Sequence, residues 1–323
     1  MSRRGLKSFL SLIFMGLFMG VIVSCGSEAN STVSTTDTVE MVTVTDQNGT
    51  VEVKKDPKVI VTFDYGVLDI LDSMGIEIAG LPKESLPNRF SSKYSDEKYV
   101  DLGGLKEPDF ESINALKPDL IIISGRQADM YDKFSEIAPT LLLSIDGGKY
   151  MEDFKRNVET LSTIFGNQEI QSKKLEEIDN KIKEINDFVT ANQLNALTIM
   201  VNEGALSTYG VGSRYGLIYN ELGFKPVDES IEISTHGQQI SFEYIVDKNP
   251  DYIFVIDRGA ALGNEGTAQS ILDNDLIKST DAYKNGRILY MDSQSWYTIA
   301  GGFSSTETML NDIWDFIKNN NPK

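Results

Sequence analysis

Cysteine occurs once in the 323 residues, as Cys25, and histidine once, as His236. A single cysteine excludes a disulfide within the chain and strongly disfavours a thiolate-ligated metal cluster. A single histidine, in Ser234-Thr235-His236-Gly237-Gln238, leaves no H-E-x-x-H pattern, and neither G-x-S-x-G nor a P-loop is present. Carboxylates are plentiful but form no recognisable acid/base pair, so an enzyme has little to stand on. Positive charge is scarce: 30 Lys and Arg face 48 Asp and Glu, a formal charge of −18. That balance disfavours nucleic acid or an anionic membrane surface as a partner. The length suffices for two domains of ordinary size.

The N-terminus carries a targeting pattern. Arg3, Arg4 and Lys7 form a positive region, and Phe9 to Val23 is apolar but too short for a comfortable membrane span. It ends in Ile22-Val23-Ser24-Cys25, which resembles a lipobox, where the residue after the cut is a cysteine that receives a diacylglyceryl group. Removing residues 1–24 takes away those three cations and moves the formal charge from −18 to −21. Gly26 to Thr38, rich in Ser, Thr, Asn and Asp, reads as a flexible tether.

One stretch is used twice, at an offset of 132 positions without a gap. Phe110/Phe242, Glu111/Glu243, Ile113/Ile245, Pro118/Pro250, Asp119/Asp251, Ile121/Ile253, Arg126/Arg258 and Ala128/Ala260 recur in register. In each copy a capped short helix (Asp109 or Ser241 as N-cap) ends at the proline. A short apolar run follows, suited to a parallel strand buried on both faces. The arginine then falls at the strand's carboxyl end, the edge where open α/β sheets bind ligands. Two such units predict two similar α/β lobes.

The rest of the chain fits this frame. Met41–Thr45 and Thr50–Val53 flank Asp46-Gln47-Asn48-Gly49, a hairpin with an Asn-Gly turn. Val59–Phe63 is a buried strand, and Tyr65 follows it, either facing ligand or packed into the turn. Tyr150 to Asn192 is the longest helical tract, interrupted at Gly166-Asn167; it joins the lobes as a rigid helix that allows little hinge bending. In the second lobe, Leu197–Val201 is a strand and Ser207–Gly216 a glycine-rich loop holding Arg214 just before a helix. Arg287–Met291 is a last strand, with Ser295-Trp296-Tyr297 after it at the ligand edge. Arg89, Arg156 and Arg287 read as surface ion-pair residues.

Taken together, the lipobox, tether, two lobes, joining helix and repeated F-E…P-D…R unit resemble a ferric-siderophore-binding lipoprotein, the substrate-binding component of an iron ABC importer. Ile121–Gln127, Gly212–Gly216, Ser234–Gln238 and Val255–Gly259 resemble the petrobactin/catecholate type most. The resemblance implies a periplasmic-binding-protein-like α/β fold: two Rossmann-like lobes (41–150 and 194–323) on a long helical backbone (151–193), after a signal peptide (1–24) and a tether (25–40). It implies three arginines, Arg126, Arg214 and Arg258, around an anionic Fe(III)-siderophore, with no intrinsic cofactor. His236 and Tyr297 would ligate iron only where a tetradentate siderophore leaves positions open, and Trp296 would pack against the cleft wall. Glu111 and Glu243, one per lobe, would engage an ABC permease that works with its ATPase. Cys25 would carry the lipid, palmitate included, on the outer face of the cytoplasmic membrane of a Gram-positive cell. A monomer is expected. A secreted α/β hydrolase acting on siderophore-like esters is the alternative.

Overall fold

Two sheets, each built on one copy of the repeat, share a single apolar core. The structure is a computed structural model and describes residues 40–320; the expected signal peptide, Cys25 and the tether up to residue 39 lie outside the described residues. The N-terminal sheet has five parallel strands, in the order Val100–Asp101, Gly80–Leu81, Ile60–Thr62, Leu120–Ile123, Thr140–Leu142. The C-terminal sheet is mixed. Asn195–Asn202 and Tyr252–Asp257 pair in parallel at its centre, and Ile288–Tyr290 adds a parallel edge. Ala205–Tyr209 and Gln238–Ile240 run antiparallel on the other side.

The apolar runs bury both faces because alternate residues point to opposite sides of a strand. Leu120 and Ile122 belong to the central core, whereas Ile121 and Ile123 pack with Phe63, Ile113 and Phe134 on the outer face. In the second lobe Tyr252, Phe254 and Ile256 join the same central core, and Ile253 and Val255 face outward onto Leu272 and Ile277. The central core also takes in Phe154, Ile178, Ile185, Ile313 and Ile317 from the long helices. The described residues consequently all fall in one compact unit despite their two large sheets.

The two repeat helices, Phe110–Leu116 and Phe242–Lys248, are alike in their ends. Asp109 accepts from the backbone N–H of Glu111 and Ser112, both at 3.1 Å, and Ser241 accepts from Tyr244 N at 3.3 Å. Both C-caps, Lys117 (φ 51°) and Asn249 (φ 39°), are left-handed, which stops the helix one residue before the proline. The aspartate after each proline ties the new strand to its neighbour. Asp119 accepts from Lys58 N and Val59 N at 3.0 Å, and Asp251 accepts from Asn195 Nδ2 at 2.6 Å.

The helical tract forms as two helices, Tyr150–Phe165 and Gln168–Ala191, broken at Gly166 (φ 83°) and Asn167 (φ 68°). The second is about 36 Å long at ~1.5 Å per residue. The hairpin Met41–Asp46/Gly49–Lys54 is present, but its two turn residues are Gln47 and Asn48 rather than Asn48-Gly49. The Asp46 carboxylate decides this: it takes the N–H of Asn48 (2.8 Å) and of Gly49 (3.0 Å), closing the turn one residue early. Ser207–Tyr209, expected in a loop, lies in the strand Ala205–Tyr209, because Leu206, Thr208 and Tyr209 are buried against Asn195–Asn202.

Candidate functional site

Three arginines converge on Tyr297. Arg126 sits in the first turn of Gly125–Met130, directly after the strand Leu120–Ile123, and Arg258 opens the helix Arg258–Ala261 after Tyr252–Asp257. Each start is fixed by its own cap. Gln127 Oε1 accepts from Ser124 N and Oγ at 3.1 Å. Asp257 Oδ1 accepts from Ala260 N (3.1 Å), and Oδ2 from Thr267 N and Ala268 N (2.5 and 2.6 Å). Arg214 comes from the turn after Ala205–Tyr209, where Ser213 Oγ donates to Gly210 O at 2.5 Å. Tyr297 ends the helix Ser293–Tyr297, whose N-cap Asp292 accepts from Ser295 N at 2.8 Å.

Arg126 and Arg214 both donate to the Tyr297 carbonyl, at 3.0 and 2.9 Å. The Arg214 guanidinium lies 4.0 Å from the centroid of the Tyr297 ring, and that of Arg126 5.9 Å. Arg258 Nε donates to the Tyr297 hydroxyl (3.3 Å) and Nη1 to Asn202 Oδ1 (3.1 Å). Among the described residues these three guanidiniums meet neutral partners rather than ion-paired carboxylates. The cleft has a volume of about 510 Å³ and is lined by Arg126, Arg214, Asp64, Trp296, Tyr297, residues 144–147 and residues 233–235. Arg258 reaches it through the Tyr297 hydroxyl.

The electrostatics follow from burial and like charge. Burial lowers the Arg126 pKa and Arg214 lowers it further, with Asp64 and Tyr297 opposing. Burial raises the Asp64 pKa against the Val67 N–H bond and the Arg126 charge. Burial alone would raise the Tyr297 phenol, but the Arg258 bond and the charges of Arg214, Arg258 and Arg126 bring it below the ordinary value. Arginine remains protonated and presents several donors in a plane. This arrangement suits an anion with oxygen acceptors, and one rich in aromatic faces.

Not every expected residue is here. Tyr65 is buried, and its hydroxyl donates to Pro82 O at 3.0 Å, so it faces the core and not ligand; Asp64 takes the place in the cleft wall. Trp296 is buried in the wall, as its apolar bulk requires. His236 is exposed and outside the lining. Its carbonyl is the part held inward, by Tyr209 Oη at 2.9 Å, and Gly237 (φ 75°) packs where a Cβ would lie 2.7 Å from the Tyr209 ring. His236 thus follows Thr235 of the cleft lining, with its own side chain exposed. Glu111 and Glu243 are both exposed, in the first turns of the two repeat helices. Asp64 and Asn202 escaped the sequence reading, because a lone Asp or Asn after a strand looks like ordinary turn chemistry. A second hollow of about 640 Å³ lies beside the edge strand Ile288–Tyr290. Its wall holds Gln269, Asp273, Tyr283 and Tyr290 and no cationic side chain, so it does not suit an anion.

Residues 60–295 match the family described as "Periplasmic binding protein". The chain belongs to that family. It is 44% identical over 316 residues to the petrobactin-binding protein YclQ of Bacillus subtilis, covering 96% of this chain and 99% of that one. It is 35% identical over 263 residues to the ferric-anguibactin-binding protein FatB of Vibrio anguillarum, covering 80% and 81%. The crystal structure of YclQ superposes with a TM-score of 0.83, over 86% of this chain and 99% of that one. The catecholate-siderophore binding protein VctP of Vibrio cholerae, at 35% identity, gives 0.81 over 85% and 100%. The periplasmic binding protein fold accounts for both lobes and the helical backbone, and these relatives are binding proteins, which leaves the hydrolase alternative without support.

Tyr297 is expected to ionise early as pH rises. A lowered native pKa means that the folded chain holds the phenolate more tightly than the unfolded chain does. Tyr297 therefore adds stability above the unfolded phenol value of about 10, and that stability is lost as pH falls through the lowered native value. Ultraviolet titration should show one early tyrosinate step that Arg258→Ala moves upward and Tyr297→Phe removes. A wild-type titration without the early step would refute the charge assignment.

Proposed function

We propose that this chain captures an anionic ferric siderophore in the cleft and hands it to the permease of an iron ABC importer. The observation that carries the reading is the convergence of Arg126, Arg214 and Arg258 on Tyr297 in a chain whose formal charge is −18. A ferric catecholate complex is a multiple anion with aromatic faces. Its oxygens can replace the Tyr297 carbonyl as acceptors for Arg126 and Arg214. The likeness to YclQ supports petrobactin as the first ligand to test, and FatB and VctP support the wider siderophore class.

Arg126→Ala, Arg214→Ala and Arg258→Ala should each weaken ferric-petrobactin binding about tenfold or more, since a hydrogen bond to a charged group is worth about 1.5–3 kcal/mol. Tryptophan quenching by titrated ligand measures this, with Trp296 in the cleft wall. Near-native affinity in all three folded variants would remove the site.

The proposal extends to how the protein is held and whom it meets. Cys25, at the end of the apolar leader, anchors the chain through lipid to the outer face of the cytoplasmic membrane of a Gram-positive cell. Cys25→Ala should release the protein from membranes with ligand affinity unchanged; quantitative membrane partitioning of the variant would contradict the anchor.

Glu111 and Glu243 stand in matching positions on the two lobes, at the helix ends that share a sheet edge with the arginines. An acidic first turn favours the helix dipole by about 0.3–1 kcal/mol, which accounts for either residue singly. Their repetition in register supports a paired role, engaging cationic residues of the permease that works with its ATPase. The double variant Glu111→Ala/Glu243→Ala should keep siderophore affinity and lose iron uptake. Wild-type uptake at equal surface abundance would leave only the dipole role.

A further inference from the structure

The lobes meet at a second place, in the cleft wall, through glycine. Gly147 and Gly148 lie in the loop that leaves the N-terminal sheet after Thr140–Leu142. The opposing turn, Gly212 to Gly216, leaves the C-terminal sheet after Ala205–Tyr209 and carries Arg214. The backbones touch directly. A Cβ on Gly147 would lie 2.5 Å from the Arg214 carbonyl carbon and oxygen, and nearer still to its Cα. One on Gly148 would lie 2.9 Å from Gly212 O, and one on Gly216 2.6 Å from Gly147 O. Neither Gly147 nor Gly148 has a positive φ, so an L-residue could adopt either backbone conformation. What requires glycine at 147 is the opposite lobe.

The seam is anchored on both sides. Gln47 Nε2 and Arg156 Nη2 donate to Ser144 O (2.8 and 3.1 Å), and Asp146 N donates to Asp153 (2.7 Å). Across the seam, Asn220 Nδ2 donates to Gly148 O at 3.2 Å. The loop therefore has little room to retreat, and Arg214 sits immediately behind it. Arg126 and Arg214 come from opposite lobes and share one acceptor, Tyr297 O, so their separation depends on how closely the lobes approach.

We propose that this glycine seam sets the width of the cleft and that Gly147 is a positioning residue for Arg214. It acts by letting the lobes approach to backbone contact, which holds Arg214 at a fixed distance from Arg126. A Cβ at 147 pushes Arg214 away from Tyr297 and widens the cleft, because the atoms it meets are backbone and cannot rotate aside. The inference rests on the reading of the cleft as the ligand site, but its geometric consequence does not.

The test uses the full chain. Gly147→Ala should weaken ferric-petrobactin binding about tenfold, the share a single charged hydrogen bond carries. That loss should vanish in an Arg214→Ala background and persist in an Arg258→Ala background; a purely structural defect would weaken binding equally in both. Equal losses in both backgrounds, or native affinity in Gly147→Ala, would overturn the proposal. A ligand-free readout separates this from failure of the ligand assignment. With Cys25→Ala, spin labels at Lys133→Cys and Lys284→Cys should report a longer interlobe distance once Gly147→Ala is added. An unchanged distance would count against the seam even if wild-type protein bound no petrobactin. Should Gly147→Ala fail to fold, Asn220→Ala removes the bond across the seam without a clash. It should give a smaller widening and a smaller loss of affinity, and the absence of both would have the same negative meaning.

Discussion

Two guanidiniums from separate lobes repel one another, and holding them side by side in partly buried positions needs a frame that does not yield. The shared core is that frame. Phe254 and Tyr252 from one sheet, Leu120 and Ile122 from the other, and Ile178 and Ile185 from the joining helix pack into one apolar body. Separating the lobes would expose that body to water, at roughly 25 cal/mol for each Å² of apolar surface. Repulsion between Arg126 and Arg214 is further offset by their common bond to the Tyr297 carbonyl and by its ring. An anion entering the cleft relieves the same repulsion, so the cost of assembling the site reappears as affinity for the right charge.

The repeat explains the symmetry of the molecule, and its limits explain the asymmetry. Each copy supplies a cap, a left-handed stop, a proline, a strand-tying aspartate and an arginine at the sheet edge. Those parts bring Arg126 and Arg258 to equivalent ends of two sheets. Arg214 has no counterpart in the repeat. It rides on the antiparallel pair Ala205–Tyr209 and Gln238–Ile240, which the N-terminal sheet lacks. That added ribbon also carries the Gly212–Gly216 turn to the N-terminal lobe, so this departure from two-fold likeness supplies both the third cation and the second contact.

Charge elsewhere follows a different logic. Of three arginines expected in surface ion pairs, only Arg156 forms one among the described residues, with Asp153 at 2.5 Å. Arg89 donates to Ser295, Ser304 and Thr308, pinning the helix that bears Tyr297. Arg287 donates to Asn320 O and lies over the Tyr252 ring. A guanidinium donates to hydroxyl and carbonyl oxygens as well as to carboxylates, and residue type alone does not choose among them.

Local chemistry was legible in the sequence wherever neighbours along the chain decide it. The caps at Asp109 and Ser241, the stops before Pro118 and Pro250, the break at Gly166-Asn167 and the doubly buried strands all follow from a few adjacent residues. Arg126 and Arg258 were legible too, since a strand's carboxyl end is a property of the strand, whereas Arg214 was named only by the family resemblance, the strand before it reading as a loop. What the tertiary structure decided were the matters settled across the chain. The Tyr65 side chain turned to the core because Pro82 O, 17 residues away, offered a buried acceptor. The hairpin turn moved because the Asp46 carboxylate closed it. His236 stayed out of the cleft wall because Tyr209 holds its carbonyl. The need for glycine at 147 arises only from Arg214 in the opposite lobe. Short-range order reflects torsional preference and local hydrogen bonding, which sequence encodes directly, whereas the cleft is made by residues far apart in the chain that only tertiary packing brings together.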